Sequence, residues 1–277
     1  MLRIDAHQHY WTISRGDYGW ITPELPKVYR DFLPEDLKPL LSKHDLDSTI
    51  LVQAAPTLEE TEYILSLAEA DETILGVVGY LDLNDPNCIQ HHRQFAKHPK
   101  YVGFRIMIQD MPDARAILAP HFVEALKYFE QADVPVDLLV TSRQLEPVMQ
   151  LMEQVPQLRG VIDHLAKPEI RSGRLQPWAE QMQQLAAYPK LYCKISGMVT
   201  EADHDNWQLE QFEPYIRTVM DAFGTERIMF GSDWPVCLLA ASYDEVVQIV
   251  EQAIPADWPS ESRKRLFGGN AKTFYKL

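Results

Sequence analysis

Eight short apolar segments alternate with amphipathic segments along almost the whole chain, and this alternation restricts the fold more than any other feature. Several of the apolar segments are rich in Val and Ile, as expected of parallel strands buried on both faces. They lie near residues 3–7, 49–53, 74–81, 102–108, 134–140, 160–163, 191–196 and 227–231. Because helix-forming stretches lie between them, the pattern predicts an α/β fold, a (β/α)8 barrel.

The segments between the strands carry helical periodicity and capping signals. Thr57 to Glu60 has the capping-box pattern and begins a helix that should run through Ala70. Further helices are expected near Pro34 and over 120–133, 144–154, 178–188 and 207–223, with a final pair over 243–254 and 260–275. No Gly/Ser-rich or charged linker divides the sequence, so we expect one domain over residues 1–277 rather than two smaller ones.

Composition narrows the class of partner. The chain is 46% hydrophobic, which is ample for a large core, and its formal net charge of −14 disfavours nucleic acid and anionic membranes as partners. Three scattered cysteines suggest neither a disulfide framework nor a zinc knuckle, and no signal peptide or membrane-length apolar run is seen. A soluble, cytoplasmic protein with a small-molecule partner is expected. Its oligomeric state does not follow from these features.

The first strand carries two histidines, His7 and His9, separated by one residue. Side chains two apart on a strand point to the same face, so the two imidazoles should project together. Such a pair can share a divalent metal or converge on one substrate atom. A His-x-His pair alone is weak, since it could also be a hydrogen-bonded pair in the core.

Two later strands end in matching polar groups, His164 and Asp233. Active sites of (β/α)8 barrels form at the carboxyl ends of the strands, so both side chains should join the two first-strand histidines. Asp233 would be ionised at neutral pH and could accept a proton from water, although aspartate is also common in turns. His164 could instead be a hydrogen-bonded core histidine. Asp163 is expected to face away and anchor its strand.

Two cations interrupt apolar strands. Arg105 on strand four could reach the barrel mouth and bind substrate oxygens, or form a structural ion pair with an acid such as Asp137. Lys194 on strand seven could face the site or extend along the outer rim.

The connection after His9 is long and aromatic, as active-site lids often are. Tyr18 and Trp20 on this connection, together with Trp234, are candidate contacts for a substrate ring, the alternative being that the lid aromatics fill a small satellite core. His91 and His92 should face solvent.

These residues and the strings around them resemble the amidohydrolase superfamily. IDAHQHYW (4–11), DHLAKP (163–168), FGSDWPVC (230–237) and GGNAKTFY (268–275) are similar to the amidohydrolase-related lactonases, a group that includes fuconolactonase and rhamnonolactonase types. The resemblance covers nearly the whole chain. It implies a distorted TIM barrel and hydrolysis of a lactone.

The departures from that family concern the metal. Its binuclear members carry a bridging lysine on strand four and a histidine on strand five, where this chain has Arg105 and Asp137. One divalent ion, zinc or similar, could be held by His7, His9 and Asp233, with His164 nearby. A mechanism without metal is the other possibility that the resemblance leaves open.

The resulting hypothesis is hydrolysis of a neutral sugar-acid lactone, in which Asp233 activates water and His164, Arg105 or the metal stabilises the oxyanion. Arg105, Lys194, Tyr18, Trp20 and Trp234 would hold the substrate. The alternatives are a metal-dependent decarboxylase on the same scaffold, a catalytically silent ligand-binding barrel and a nuclease. The absence of a histidine on strand five counts against the decarboxylase. The intact set of His7, His9, His164 and Asp233 counts against the silent barrel, and the net negative charge counts against the nuclease.

Overall fold

The eight predicted strands form one parallel sheet in which each strand pairs with the next along the chain. The computed structural model describes residues 2–277. The strands are β1 Ile4–Gln8, β2 Ser48–Val52, β3 Ile74–Tyr80, β4 Tyr101–Met107, β5 Val136–Leu139, β6 Gly160–Ile162, β7 Leu191–Ile195 and β8 Ile228–Phe230. All eight lie where the sequence pattern predicts them, to within two residues at each end.

The sheet closes through backbone pairing just beyond β8. The amide of Asp233 donates to the carbonyl of His7 at 2.8 Å, and the amide of His9 donates to the carbonyl of Trp234 at 2.7 Å. These bonds join the last strand to the first and give a (β/α)8 barrel, as predicted. They also fix Asp233 directly beside the two first-strand histidines.

Helices surround the barrel. They are α1 Pro34–Lys43, α2 Leu58–Ala70, α3 Cys88–Phe95, α4 Pro120–Gln131, α5 Leu145–Gln154, α6 Trp178–Leu185, α7 Glu213–Phe223, α8 Tyr243–Ala253, α9 Ser260–Lys264 and α10 Asn270–Tyr275. Thr57 caps α2 as predicted, since its hydroxyl accepts from the amide of Glu60 at 3.0 Å. Within residues 2–277, no helix combines the length and the hydropathy that crossing a bilayer requires.

One predicted helix begins later than expected and another is broken, while α6 ends at Leu185, three residues early. The helix expected over 207–223 begins at Glu213, because Pro214 suits only a first helical turn. The helix expected over 260–275 is interrupted by a wide turn over Arg265–Gly269. Gly268 in that turn passes so close to the first strand that a Cβ there would lie 2.3 Å from the carbonyl oxygen of Leu2.

One side chain on α3 corrects an expectation. His92 is buried rather than solvent-facing, and its ring packs against Tyr101 and Phe129. The reason is the helical spacing of Cys88, His92 and Phe95, because residues at positions i, i+4 and i+7 share one helix face.

The lower end of the barrel, at the amino ends of the strands, is apolar and plugged by the last helix. Phe274 and Tyr275 of α10 pack into a cluster with Ile4, Val161 and Met229 from inside the barrel. This plug leaves the polar side chains of the strands to converge at the opposite, upper end.

Candidate active site

A layer of charged side chains crosses the barrel above the apolar plug. The ammonium of Lys194 contacts the carboxylate of Asp137 and lies 3.2 Å from Oδ1 of Asp163. Arg105 lies 3.6 Å from Oδ2 of Asp163 and donates to the carbonyl of Gln53. Lys194 and both aspartates are fully buried, so the opposite charges must compensate one another.

This layer changes three expectations. Asp163 faces into the barrel rather than away from it, and it is the acid beside Arg105. Asp137 is held instead by Lys194 and by the hydroxyl of Tyr275, which donates to both of its oxygens at 2.9 and 3.0 Å. Lys194 therefore lies neither at the outer rim nor at the mouth, because two buried carboxylates hold its ammonium.

The two carboxyls of the layer differ in their pKa. Burial raises the pKa of Asp137 to about 6, against the opposing effect of Lys194. Burial acts in the same direction on Asp163, but Lys194, His164 and Arg105 outweigh it and hold its pKa below the ordinary value. Both carboxyls are therefore ionised at pH 7, and Asp163, which has the lower pKa, keeps its charge to a lower pH.

Three imidazoles surround one carboxylate at the upper end of the barrel. The Nε2 atoms of His9, His164 and His7 lie 3.3, 3.8 and 3.9 Å from Oδ1 of Asp233. All four side chains are buried. The structure therefore brings together the four residues that the strand-end pattern singled out.

The outer nitrogens of two of these rings are anchored. Nδ1 of His9 lies 2.8 Å from the carbonyl oxygen of Val52, and Nδ1 of His164 lies 2.9 Å from the hydroxyl of Ser196. Because a carbonyl only accepts, Nδ1 of His9 donates to it, and Nε2 is the nitrogen that faces Asp233. A lone pair facing a carboxylate is unfavourable unless a proton or cation lies between them.

The spacing of these atoms fits one divalent metal. In a tetrahedral zinc site with bonds of about 2.0–2.1 Å, ligand atoms lie about 3.4 Å apart. His7, His164 and Asp233 offer ligand atoms that all lie within 4.8 Å of one another. His9 is the fourth possible ligand, 3.3 Å from the carboxylate.

A second group of possible ligands lies deeper, formed by His7, Asp137 and Asp163. The ammonium of Lys194 lies among them, 3.2 Å from Nδ1 of His7 and 3.2 Å from Oδ1 of Asp163. A protein cation thus already balances the charge of this group.

Part of the site is positioned by a turn that has an unusual backbone conformation. Four consecutive non-glycine residues, His164 to Lys167, have φ angles of 54°, 53°, 57° and 47°, which lie in the left-handed region. This conformation costs roughly 1–2 kcal/mol per residue. Asp233 also has a positive φ, 58°. Such strain is typical of functional sites, where the surrounding structure enforces it.

The protonation states suit proton transfer from water. Burial lowers the pKa of His7 and of His164 well below the ordinary value, so both rings are neutral at pH 7. Burial raises the pKa of Asp233, but His164, His9 and Lys167 outweigh it and hold the pKa below the ordinary value. The site therefore presents an ionised carboxylate beside the neutral imidazoles of His7 and His164.

A cavity of about 520 Å³ opens above these residues. Its floor includes His9, Arg105, His164 and Asp233. Its walls combine apolar side chains with polar ones, the polar ones being Asp17, Gln109, Asp110 and Lys167. This volume and mixture suit a small polyol rather than a polymer.

The predicted substrate contacts divide into two groups. Trp20 and Arg105 line the cavity, and the indole of Trp20 donates to the carbonyl of Ala54 at 2.9 Å. Tyr18 and Trp234 lie behind the wall, 5% and 2% exposed.

Each of these two buried aromatics is held by its own partner. The hydroxyl of Tyr18 donates to Glu60 at 2.7 Å, while Trp234 packs edge-on against Phe32. Both rings pack beneath the lid and do not line the cavity, and neither does Lys194, which lies in the buried ionic layer. That these residues contact substrate stays a prediction.

Sequence reasoning missed four polar residues of the cavity: Asp17, Gln109, Asp110 and Lys167. Gln109 and Asp110 follow β4 closely, and the strand-end rule used for Asp233 would have found them. Lys167 follows His164 by three residues, within the string DHLAKP. Its place in the cavity depends on the left-handed turn, which the residue types do not predict.

Comparison with known proteins gives consistent results. The sequence model of a family described as Amidohydrolase matches residues 4–277. The chain is similar to an L-fucono-1,5-lactonase of Burkholderia ambifaria, with 40% identity over 100% of this chain and 96% of that protein. An L-fucono-1,5-lactonase of Burkholderia multivorans is 38% identical over the same shares of the two chains.

The fold has a solved counterpart. A crystal structure of an amidohydrolase from Burkholderia multivorans with bound zinc superposes with a TM-score of 0.95, at 38% identity and with all of both chains covered.

Proposed function

Because this chain belongs to the amidohydrolase family, we propose that it is a lactonase, which hydrolyses a sugar-acid lactone to the corresponding hydroxy acid. The observation that carries the proposal is the ionised carboxylate of Asp233 at the floor of a small-molecule cavity, surrounded by three imidazoles. The similarity to two L-fucono-1,5-lactonases supplies the class of substrate.

In the first step, a water molecule attacks the carbonyl carbon of the lactone while Asp233 takes one of its protons. A carbon–oxygen bond forms and the carbonyl oxygen becomes negative. Arg105 and His164, both on the cavity floor, are the proposed stabilisers of that charge. Stabilisation of this kind usually supplies the largest share of catalysis.

In the second step, the bond between the carbonyl carbon and the ring oxygen breaks. Asp233 returns its proton to the ring oxygen, which leaves as a hydroxyl group. The carboxylate is thereby regenerated, and one residue serves as base and then as acid because the proton it takes is the proton it returns.

A divalent metal fits the same residues, and zinc is the proposed ion. His7, His9, His164 and Asp233 would hold it, with the predicted ligands His7, His9 and Asp233 as the core of the set. A metal at this position polarises a carbonyl group or lowers the pKa of a water molecule. The residues would also permit hydrolysis without metal.

The proposed substrate is a neutral six-carbon deoxy- or aldonolactone, with L-fucono-1,5-lactone the first compound to test. Trp20 offers an aromatic face for a sugar ring, and Asp17, Gln109 and Asp110 offer acceptors for hydroxyl groups. A doubly charged substrate would meet three cavity acids, Asp17, Asp110 and Asp233, which disfavours it.

Lactone opening releases acid, so a screen of aldonolactones with a pH indicator tests the proposal. We expect rapid acid release from a sugar lactone by the wild-type protein, well above the spontaneous rate that the Asp233→Asn variant should show. No acceleration with any sugar lactone would contradict the proposal. Activity confined to pyrone or muconolactone acids would overturn the substrate class and leave the lactonase in place.

The decarboxylase alternative is weaker. A dihydroxybenzoic acid decarboxylase from a Polaromonas species superposes with a TM-score of 0.70, but its 15% identity supports the fold alone. Release of carbon dioxide from a carboxylic substrate, without lactone opening, would revive it.

The cytoplasm is the proposed location, and the proposal is supported by the three cysteines. Cys88, Cys193 and Cys237 are all buried free thiols, which suits a reducing compartment. The proposed partner is the lactone alone, without nucleic acid or membrane.

A further inference from the structure

Lys167 is a cation of the cavity wall to which the mechanism above gives no part. It ends the left-handed turn that begins at His164, and its amide donates to the carbonyl of His164 at 2.7 Å. The turn therefore fixes the two residues relative to each other and presents both to the same cavity. Because four positive φ angles in succession cost conformational free energy, such a turn is typical of a functional site, and this indicates a function for Lys167.

The two cations of the cavity, Arg105 and Lys167, differ in how many of their hydrogen-bond donors already have a partner within the protein. One terminal nitrogen of Arg105 donates to the carbonyl of Gln53, and the other lies 3.6 Å from Asp163 and 3.4 Å from Nε2 of His7. Both terminal nitrogens of Arg105 thus already have protein partners, which leaves it fewer free donors for the substrate than Lys167 has. The ammonium of Lys167 lies 3.9 Å from Glu201, which is too far for a hydrogen bond, and its donors can turn to a ligand.

We propose that Lys167 is a catalytic residue that donates to the carbonyl oxygen of the lactone and stabilises the negative charge formed there when water attacks. This inference rests on the proposed lactonase function and adds a residue to it. The lysine keeps its proton throughout, so the proton balance at Asp233 is unchanged. After ring opening, the same ammonium faces the carboxylate of the product.

The proposed role of Lys167 predicts that its loss lowers kcat rather than raising KM. A contact that strengthens only as charge develops affects kcat, whereas a contact made equally to substrate and transition state affects KM alone. Lys167→Met removes the donors and keeps the length of the side chain. We expect kcat to fall by roughly 10²–10³-fold, as for other donors to an oxyanion, with KM changed less than about threefold.

Two further variants separate charge from structure. Lys167→Arg keeps a cation and should recover a substantial part of the kcat lost in Lys167→Met. Lys167→Gly removes the side chain and also relieves the positive φ, so it should fold at least as well as the wild type and be as slow as Lys167→Met.

The chain contains a matched control, Lys276, which is also a non-glycine residue with a positive φ of 59°. Its side chain is exposed, and its ammonium donates to the carbonyl of Asp133 at the other end of the barrel. Lys276→Met and Lys276→Gly should leave kcat and KM of the full-length protein unchanged.

The measurement is steady-state kinetics on the lactone that the wild-type protein opens fastest. If Lys167→Met or Lys167→Gly is folded and keeps near wild-type kcat, or only raises KM, the inference is wrong while the lactonase stands. An equal loss in the Lys276 variants would also overturn it. If the wild-type protein opens no sugar lactone, the proposed function fails, and this inference fails with it.

Discussion

Asp233 is the residue on which the proposed chemistry depends most, and Asp233→Asn is its sharpest test. Asparagine keeps the shape and, like aspartate, tolerates the positive φ of 58° at this position, so the fold should survive. Loss of the ionised base should lower kcat by about 10²–10⁴-fold. Kinetics on the best lactone check this, with Asp203→Asn, at a half-buried residue paired with Arg171, as control. A folded Asp233→Asn variant with near wild-type rate would show that another group is the base.

The residues of the site were predictable to different degrees. His7, His9, His164 and Asp233 were found because a strand's period of two and the strand-end rule place side chains without three-dimensional information. The inward direction of Asp163 and the position of Lys167 were not, since both depend on backbone angles after β6 that residue type does not determine.

Asp5 predicts a pH dependence of stability. Burial raises its pKa from 3.8 to about 6, although it accepts from the amides of His7 and Ser232. A folded pKa above the unfolded one stabilises the fold below about pH 4, and this contribution is lost as the pH rises through about 6.

Comparison with Asp5→Asn isolates this effect, because asparagine does not titrate. The unfolding free energy of the wild type, minus that of Asp5→Asn, should fall by about 2 kcal/mol between pH 4 and pH 7. Urea unfolding at a series of pH values measures it. A constant difference would mean that Asp5 has the same pKa in the folded and the unfolded protein, and that burial does not raise it.

Strands and helices followed from the sequence more closely than the segments that interrupt them. The buried strands were found because burial on both faces leaves a continuous apolar run. The break in the last predicted helix was not, because it arises from contact between Gly268 and the first strand, far apart in sequence.

The last helix, α10, couples the plug of the barrel to the ionic layer, and Tyr275→Phe tests that coupling. The change removes the hydroxyl that donates to Asp137, so that this buried carboxyl loses a hydrogen-bond donor. We expect a loss of about 1–3 kcal/mol in the free energy of unfolding, measured with urea. Tyr192→Phe is the control, because that half-buried ring packs on Phe274 in the same region.

A loss of equal size in Tyr192→Phe would attribute the effect to altered packing at the plug. No loss in Tyr275→Phe would show that the ionic layer does not depend on this helix.

For the whole molecule, eight alternations of strand and helix were enough to predict the topology. Parallel strands joined by right-handed crossovers have few arrangements, and eight of them close into a barrel. The same reasoning could not decide how many metal ions the barrel holds, because that depends on which charges meet in its interior.

The interior predicts at most one tightly bound divalent metal per chain. The upper group, with His7, His164 and Asp233, lacks a compensating cation among its own members, whereas the lower group around Asp137 and Asp163 already holds the ammonium of Lys194. A second metal would have to displace a buried ammonium from two carboxylates, which is costly.

Metal analysis of protein purified without chelator, followed by zinc titration, measures the stoichiometry. We expect no more than one equivalent in the wild type. If one is held, His9→Gln should weaken it, since that ring faces Asp233 at 3.3 Å. His44→Gln, which changes a histidine paired with Asp244 outside the barrel, should not. Two tightly bound equivalents in the wild type would show that a metal displaces the ammonium of Lys194. A single ion that is lost equally in His9→Gln and His44→Gln would show that the metal site does not include His9.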